Sequence, residues 1–476
     1  MPINNSAHPT SRPHNNMLST AAWINYASVY FVLKGTAGSL LGLALLPLLK
    51  TTFGVSSVLY QEYTLIVMLP WSMKPIVAML SEWSGRPQAI VVVASLAGGS
   101  AAAVLCQTTS VLTAVMCACV CSAEIASIDI LAEGEYAHTL ARMPDDAPRK
   151  RLVSAVWIML FAGQLVASAV SGVSTPQQCL LATVPLVAQV GIVASCGGMF
   201  VHRPRVAWYP GIVVGSALVA VAAGLLPVTL YGSLASKAVY VTLTGAGLLA
   251  LAARVLPWPL AKANMYMFAA SILYLPINGA TDYFATASHS CVPGGPAMGL
   301  QFYVSAGSAA SAVAAAVAIA LFNWGMVGWS YRSMFWVSTA VRCFAALCDV
   351  VFVLRWNLRV GIPDKLMYLA GDAVVLTMAS TLDAMPMVLM TSMLCKSGSE
   401  STVYAMLAAF QNFGVAVGTT YGAVLQVAMN VQLHEGVACT YEYLPQLIVV
   451  AHMALPMLTI PLTFLLIDNE YPPSAG

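Results

Sequence analysis

The chain has 476 residues, of which 59% are apolar and 8% charged, and its net charge is +2. A soluble domain carries roughly 25% charged residues, so this chain has too few to coat a folded surface in water. That excludes a soluble enzyme, a disulfide-rich secreted scaffold and a disordered polar chain, and points to an all-α polytopic membrane protein.

In chain order, residues 1–16 open a tail that runs to residue 23; they are polar and lack the apolar core of a cleaved signal. They read as a cytoplasmic tail, in which the N-x-S triplet at Asn4 escapes glycosylation. A spanning helix needs about 20 apolar residues. Longer charge-free windows divide at polar dips, at residues 107–110, 174–178 and 231–237. Fourteen helices follow, at residues 24–48, 61–80, 89–107, 111–133, 152–173, 179–201, 210–231, 238–256, 264–285, 299–322, 334–354, 366–393, 402–429 and 444–467. They group into a six-helix bundle over 24–201, a segment over 202–262 with two extra helices, a second bundle over 263–468 and a short tail, 469–476. With both termini inside, the inner segments hold twelve Lys and Arg (Arg12, Arg86, Arg142, Arg149, Lys150, Arg151, Arg203, Arg205, Arg254, Lys262, Arg332 and Lys396) and the outer loops five. The bias sets both termini in the cytoplasm.

An ionisable side chain inside a span costs about 2.5–3.5 kcal/mol and needs a partner or a task. Such residues are Lys34, Lys74, Glu124, Asp129, Glu133, Asp282, Arg342, Asp349, Asp372 and Asp383. Two six-helix bundles with an inserted hairpin form the major-facilitator architecture, whose binding site lies between the halves. All of these residues except Arg342 and Asp349 fall on the first, second, fourth or fifth helix of a bundle, which wall the central cavity. Arg342 and Asp349, seven residues apart on one helical face, are expected to pair with each other.

Stripes of small residues let helix backbones approach closely. Gly163, Ala167 and Ser171 on the fifth helix, and Gly414, Gly418 and Gly422 on the thirteenth, are expected where the two halves cross. Of eleven cysteines, Cys117, Cys119, Cys121 and Cys196 lie in apolar runs as packing residues. Cys291 and Cys439 fall on the outer side, where a bridge is possible; Cys179 lies on the same side. No Walker, H-E-x-x-H, C-x-x-C or G-x-S-x-G motif occurs, and no basic run suggests nucleic acid. Neither an enzyme nor a cofactor is expected.

Several segments resemble the folate-biopterin transporter family. They include Leu69-Pro70-Trp71-Ser72-Met73-Lys74-Pro75 running to Ser81-Glu82, and Asp129-Ile130-Leu131-Ala132-Glu133-Gly134-Glu135-Tyr136. Others are Tyr331-Arg332-Ser333-Met334-Phe335-Trp336, Arg355-Trp356-Asn357, Val360-Gly361-Ile362-Pro363-Asp364-Lys365 and Gly371-Asp372-Ala373. Thr402-Val403-Tyr404-Ala405, Gln411-Asn412-Phe413-Gly414 and the stretch from His452 to Phe464 complete the likeness, which spans about residues 25–468. Glu82 stands where the family usually has Asp, and the 81–88 loop is short. The resemblance implies a major-facilitator fold and proton-driven import of folates or pterins; a monomer in the plasma membrane is expected. Relatives also carry S-adenosylmethionine, which remains the alternative cargo; a membrane receptor that does not transport is the other reading.

A pterin offers a flat donor–acceptor edge and a π face, and folate adds a carboxylate-bearing tail. Carboxylates suit the edge and aromatic rings the face. Lys34 and Lys74 are therefore candidate partners of cargo carboxylates; pairing of Lys74 with Glu82, and of Lys34 with a carboxylate on the fourth helix, are the structural alternatives. Glu124, Asp282, Asp372 and Asp383 are candidate substrate ligands, with Trp71 as a stacking platform. Asp129 and Glu133, four apart, share one helical face, and close carboxylates disfavour joint ionisation. With Asp383 they are the candidate proton carriers, although Glu133 could instead bond the basic run Arg149-Lys150-Arg151.

Overall fold

The computed structural model describes residues 19–143, 146–197, 209–326, 328–394 and 400–467. Both tails, Arg203, Arg205 and Lys396 lie outside the described residues, as do the side chains of Arg142, Arg149, Lys150 and Arg151.

Thirteen helices among the described residues are long and apolar enough to cross a membrane. They are α1 (Thr20–Thr52), α2 (Ser57–Ser84), α3 (Pro87–Leu105), α4 (Val111–Tyr136), α5 (Leu152–Val173), α6 (Pro176–Cys196), α7 (Tyr209–Tyr231), α8 (Leu234–Val255), α9 (Trp258–Thr286), α10 (Leu300–Met326), α11 (Tyr331–Val353), α12 (Asp364–Met387) and α14 (Leu444–Leu466). Between the last two runs α13, Glu400–Ala428, with 29 residues. It carries Gln411, Asn412, Thr419, Thr420 and Gln426, which lower its apolar character. Each of the fourteen expected segments is thus helical. The protein is an integral membrane protein built from two helix bundles and an extra helix pair.

Local chemistry sets the helix ends. Ser56, Ser233 and Ser330 cap α2, α8 and α11 through their hydroxyls, at 3.4, 3.2 and 3.3 Å from the backbone N–H groups they accept. Gly85 ends α2 in the left-handed region, φ 63°, and Pro87 starts α3, so two spans join by a very short turn. Pro276 interrupts α9 around residues 274–277. Its freed carbonyl is taken by the Gln61 amide of α2 at 2.9 Å, which keeps a polar backbone group satisfied within the bundle. Wide π-helical turns occur at Ala27–Ala37 in α1, Leu369–Leu376 in α12 and Val449–Ala454 in α14. Each holds a polar residue of interest, respectively Lys34, Asp372 and His452.

Within the first half α1 packs on α5, and α3 on α4 and α6; within the second, α9 packs on α13, and α11 on α12 and α14. The halves meet where α2 crosses α13 and where α5 crosses α10. The extra pair, α7 and α8, lies against α2 and α13, and Lys237 of α8 binds Glu62 of α2 at 2.7 Å.

The small-residue stripes face elsewhere than expected. Gly163 of α5 meets Gly35 and the Phe31 carbonyl of α1, not the opposite half. The α5–α10 crossing uses Gln164 and Ser168 against Ser308, with Ser168 and Ser308 2.9 Å apart, and Gly172 against Ser305. Gly414 and Gly418 of α13 press on α9, and only Gly422 also reaches α2, at Gln61. The reason is that α13 serves two neighbours. Its glycines fit the backbone of α9, and its amide and hydroxyl face meets α2.

At the end of the bundle that carries the α9–α10 and α13–α14 loops, Cys291 and Cys439 form a disulfide. It ties the first loop to a small hairpin, β1 (Gln432–His434) paired antiparallel with β2 (Ala438–Thr440). Cys179 is a free, buried cysteine. Disulfides persist in oxidising compartments, so this end is expected to face away from the cytosol. A membrane-impermeant maleimide applied to intact cells should label Cys291 and Cys439 only after reduction. Labelling without reduction would refute the bridge.

Candidate functional site: a cavity between the bundles

A cavity of about 510 Å³ opens between α2 of the first half and α9, α11, α12, α13 and α14 of the second. Its wall carries the amides of Gln61, Asn278, Gln411 and Asn412 and the rings of Trp71, Tyr266 and Tyr274. Two charged residues line it, Arg342 of α11 and Asp383 of α12.

Arg342 donates from Nη2 to Asp383 Oδ2 at 3.1 Å, and the hydroxyl of Ser338 donates to Asp383 Oδ1 at 3.0 Å. The guanidinium lies 4.6 Å from the centre of the Tyr274 ring. Tyr274 stacks on His452, with centroids 4.5 Å apart, and His452 Nε2 bonds the Leu275 carbonyl at 3.0 Å. The arginine thus rests on a braced aromatic shelf. Its expected partner was Asp349 and its expected place was away from the cavity; both expectations are corrected. Arg342 leans from α11 onto Tyr274 and takes the carboxylate of the adjacent helix.

Beside the cavity, behind Trp71, four charges meet. Asp129 accepts from Lys34 at 2.7 Å and from Lys74 at 2.8 Å, and Lys74 also donates to Glu133 at 3.3 Å. Glu133 lies 3.9 Å from Lys34. The side chains of Lys74 and Asp129 are 4% and 1% exposed, so the core of this tetrad is dry, whereas Lys34 and Glu133, at 24% and 18%, form its open edge. Trp71 covers it, with Lys74 Nζ 4.8 Å from its ring and its own Nε1 donating to Ser122 at 3.0 Å.

The helical spacing that put Asp129 and Glu133 on one face also brings them together in space. They share two lysines, and Asp129 takes the shorter contact from each. Both lysines, expected to meet cargo carboxylates, are engaged by protein carboxylates. Lys74 does not pair with Glu82, which accepts from Thr402 of α13 at 2.6 Å.

Glu124 is 2% exposed and lies away from the cavity. It packs on Gly98 of α3, with Ser95 of the same helix as its polar neighbour. Five residues separate it from Asp129, about 140° around the helix, so it faces α3 while Asp129 faces α1 and α2. Asp282 lies beyond the cavity wall, accepting from Tyr303 at 2.8 Å and Tyr60 at 3.4 Å. Asp372, in the wide turn of α12, is also outside the lining. Trp71 and Asp383 are therefore the expected site residues that reach the cavity. Gln61, Tyr274, Arg342 and His452 were not expected. Pro276, which breaks α9 beside Gln61 and Tyr274, was the available signal for two of them. Among the described residues, no group of three or more His, Cys, Asp or Glu is placed to hold a metal ion.

The model of the family described as "BT1 family" matches residues 34–472. The chain belongs to the BT1 family. A relative named probable folate-biopterin transporter 6, from Arabidopsis thaliana, is 28% identical over 174 residues, 37% of this chain and 33% of that one. A folate-biopterin transporter of Synechocystis sp. (strain ATCC 27184 / PCC 6803 / Kazusa) is 24% identical over 115 residues, 24% of this chain and 23% of its own. These matches span about a third or less of the relatives' length. Solved structures share the fold across nearly the whole chain. The nucleoside transporter NupG superposes with a TM-score of 0.61 at 11% identity, covering 94% of this chain and 100% of that one. The human organic anion transporter MFSD10 gives 0.57 at 12% identity, covering 95% and 100%. The BT1 protein therefore has the major-facilitator architecture, with the α7–α8 pair lying in sequence between the two bundles.

Proposed function

We propose that this BT1 protein is a secondary carrier that imports a folate or a pterin, coupled to protons, by rocking two bundles around the central cavity. The observation that carries the reading is the cavity itself. It sits between the halves and offers flat rings, four amides and a single ion pair. Rings and amides together suit a planar heteroaromatic cargo whose edge both donates and accepts hydrogen bonds. The names of the relatives supply the cargo class.

At the disulfide end, the halves are latched across the cavity mouth. Lys50 of α1 donates to the Thr286 carbonyl of α9 at 2.9 Å, and Ser57 of α2 accepts from Leu433 N of β1 at 3.0 Å. Gln61 bonds the Thr419 carbonyl of α13 at 3.0 Å. Cargo reaching the cavity from that side must open these bonds. The opposite end has its own tie between α2 and α13, Glu82 to Thr402. Alternating access is the breaking of one set while the other holds.

Asp383 is the proton carrier in this reading. It faces the cavity, and its charged and titratable neighbours are Arg342, its ion-pair partner, and Tyr266. The tetrad at Asp129 and Glu133 sets two carboxylates against two lysines around Asp129 and serves to hold α1, α2 and α4 together. The chain would act as a monomer in the plasma membrane with both termini cytoplasmic; an even number of spans returns the chain to the side on which it starts, and the Cys291–Cys439 disulfide favours the opposite side as the outer one.

The test is uptake of labelled folate, biopterin and S-adenosylmethionine in a transport-null host, with and without an inward proton gradient. Accumulation of folate or biopterin that rises with outside acidity is expected, and Asp383→Asn should abolish the gradient dependence. Accumulation of S-adenosylmethionine alone would replace the cargo. Binding without accumulation would make the protein a receptor.

A further inference from the structure

We propose that Arg342 is the anion receptor of the cavity: it binds the carboxylate of the cargo, and Asp383 is the internal anion that occupies it when the cavity is empty. The inference rests on the carrier reading above and adds to it the residue that distinguishes carboxylate-bearing cargo from neutral cargo of the same ring class.

Three observations carry it. First, Arg342 is the cation on the cavity wall, since both lysines nearest the site are held in the tetrad by Asp129 and Glu133. Second, Arg342 is underused. A guanidinium has five N–H donors in a planar fork suited to two parallel bonds with a carboxylate. Here one donor, Nη2, reaches one oxygen of Asp383, at 3.1 Å, and the others meet no acceptor among the described residues. The Arg342 and Asp383 side chains are 16% and 20% exposed, so both are reachable from the cavity.

Third, Arg342 is pre-aligned. The guanidinium carbon lies 4.6 Å from the centre of the Tyr274 ring, and His452, itself bonded to the Leu275 carbonyl, stacks on that tyrosine. A cation already held against a ring, with most of its donors unused, loses little conformational freedom when a carboxylate arrives. Asp383 retains the Ser338 hydroxyl when Arg342 leaves it, so the exchange does not strand it without a partner. Folate, with a glutamate tail, can use such a receptor. Biopterin has the ring without a carboxylate and cannot.

The test is equilibrium binding to the purified full chain, read by Trp71 fluorescence where the ligand allows and by calorimetry otherwise, with folate, p-aminobenzoyl-glutamate and biopterin. Arg342→Gln should weaken folate and p-aminobenzoyl-glutamate by about tenfold or more while biopterin changes by less than about threefold. Arg342→Lys should restore part of the loss. Asp383→Asn should tighten both carboxylate ligands, because the internal competitor has lost its charge. Should Arg342→Gln fold poorly, the paired variant Arg342→Gln with Asp383→Asn removes both charges and must show the same selective loss. Equal loss for all three ligands, or none, overturns the proposal, as does a wild-type protein that binds no carboxylate ligand. A wild-type protein that binds folate through Arg342 but does not transport it refutes the carrier reading alone.

Discussion

Asp129→Asn is expected to lower the stability of the folded protein by about 3–5 kcal/mol, the usual cost of removing one member of a buried charge cluster and leaving its partners uncompensated. Asp129 is the hub. It accepts from Lys34 and Lys74 at 2.7 and 2.8 Å with a side chain 1% exposed. Without its charge two ammonium groups depend on Glu133, which lies 3.3 Å from one and 3.9 Å from the other. The double variant Asp129→Asn with Lys34→Met leaves the Lys74–Glu133 pair and restores neutrality, so it should recover more than half of the loss. Thermal unfolding in detergent, followed by fluorescence-detected size-exclusion chromatography, reads both. An Asp129→Asn protein that melts like wild type would show that the tetrad does not hold α1, α2 and α4 together.

That cluster marks where the sequence could and could not be read. Helix existence was legible throughout, because a stretch that crosses lipid must be apolar and must satisfy its backbone internally. α13 was the polar exception, yet its pattern still identified it. The meeting of Asp129 and Glu133 was legible from their spacing, since positions four apart share a face. The off-face position of Glu124 was legible as well, by the same rotation, but grouping residues by helix and not by angle conceals it. Which carboxylate each lysine chooses was not legible. It depends on the crossing of α1 and α2 over α4, a relation between residues 95 and 55 positions apart in sequence. Arg342 was missed for a related reason. Assigning a helix to a rim position says where its axis runs, while a long side chain spans the difference. The small-residue stripes showed that backbones approach closely and were silent on the partner.

Gly163 shows what that silence conceals, and replacing it by valine should cost about 3 kcal/mol. A Cβ at residue 163 would meet the Phe31 carbonyl and would come within 2.8 Å of the Gly35 Cα. A Cβ at Gly35 would in turn fall 2.6 Å from the Leu160 carbonyl. Both obstacles are backbone, so no rotamer change relieves them and α1 must move off α5. Gly163→Ala should cost less than valine but in the same direction. Gly42 and Gly247 are helical glycines where an added methyl would meet nothing within 4 Å, and Ala there should instead gain about 0.5–1 kcal/mol through helix propensity. Opposite signs for the same chemical change would separate contact from propensity, and melting temperatures of the four variants measure it. The crossing also bears on the charges, because Lys34 precedes Gly35 in the wide turn of α1. Moving α1 away from α5 shifts Lys34 relative to Asp129. Gly163→Val and Asp129→Asn should therefore combine to less than the sum of their separate losses, since the first already weakens a bond that the second removes. Strict additivity would mean that the glycine contact and the charge tetrad are independent supports of the same helix.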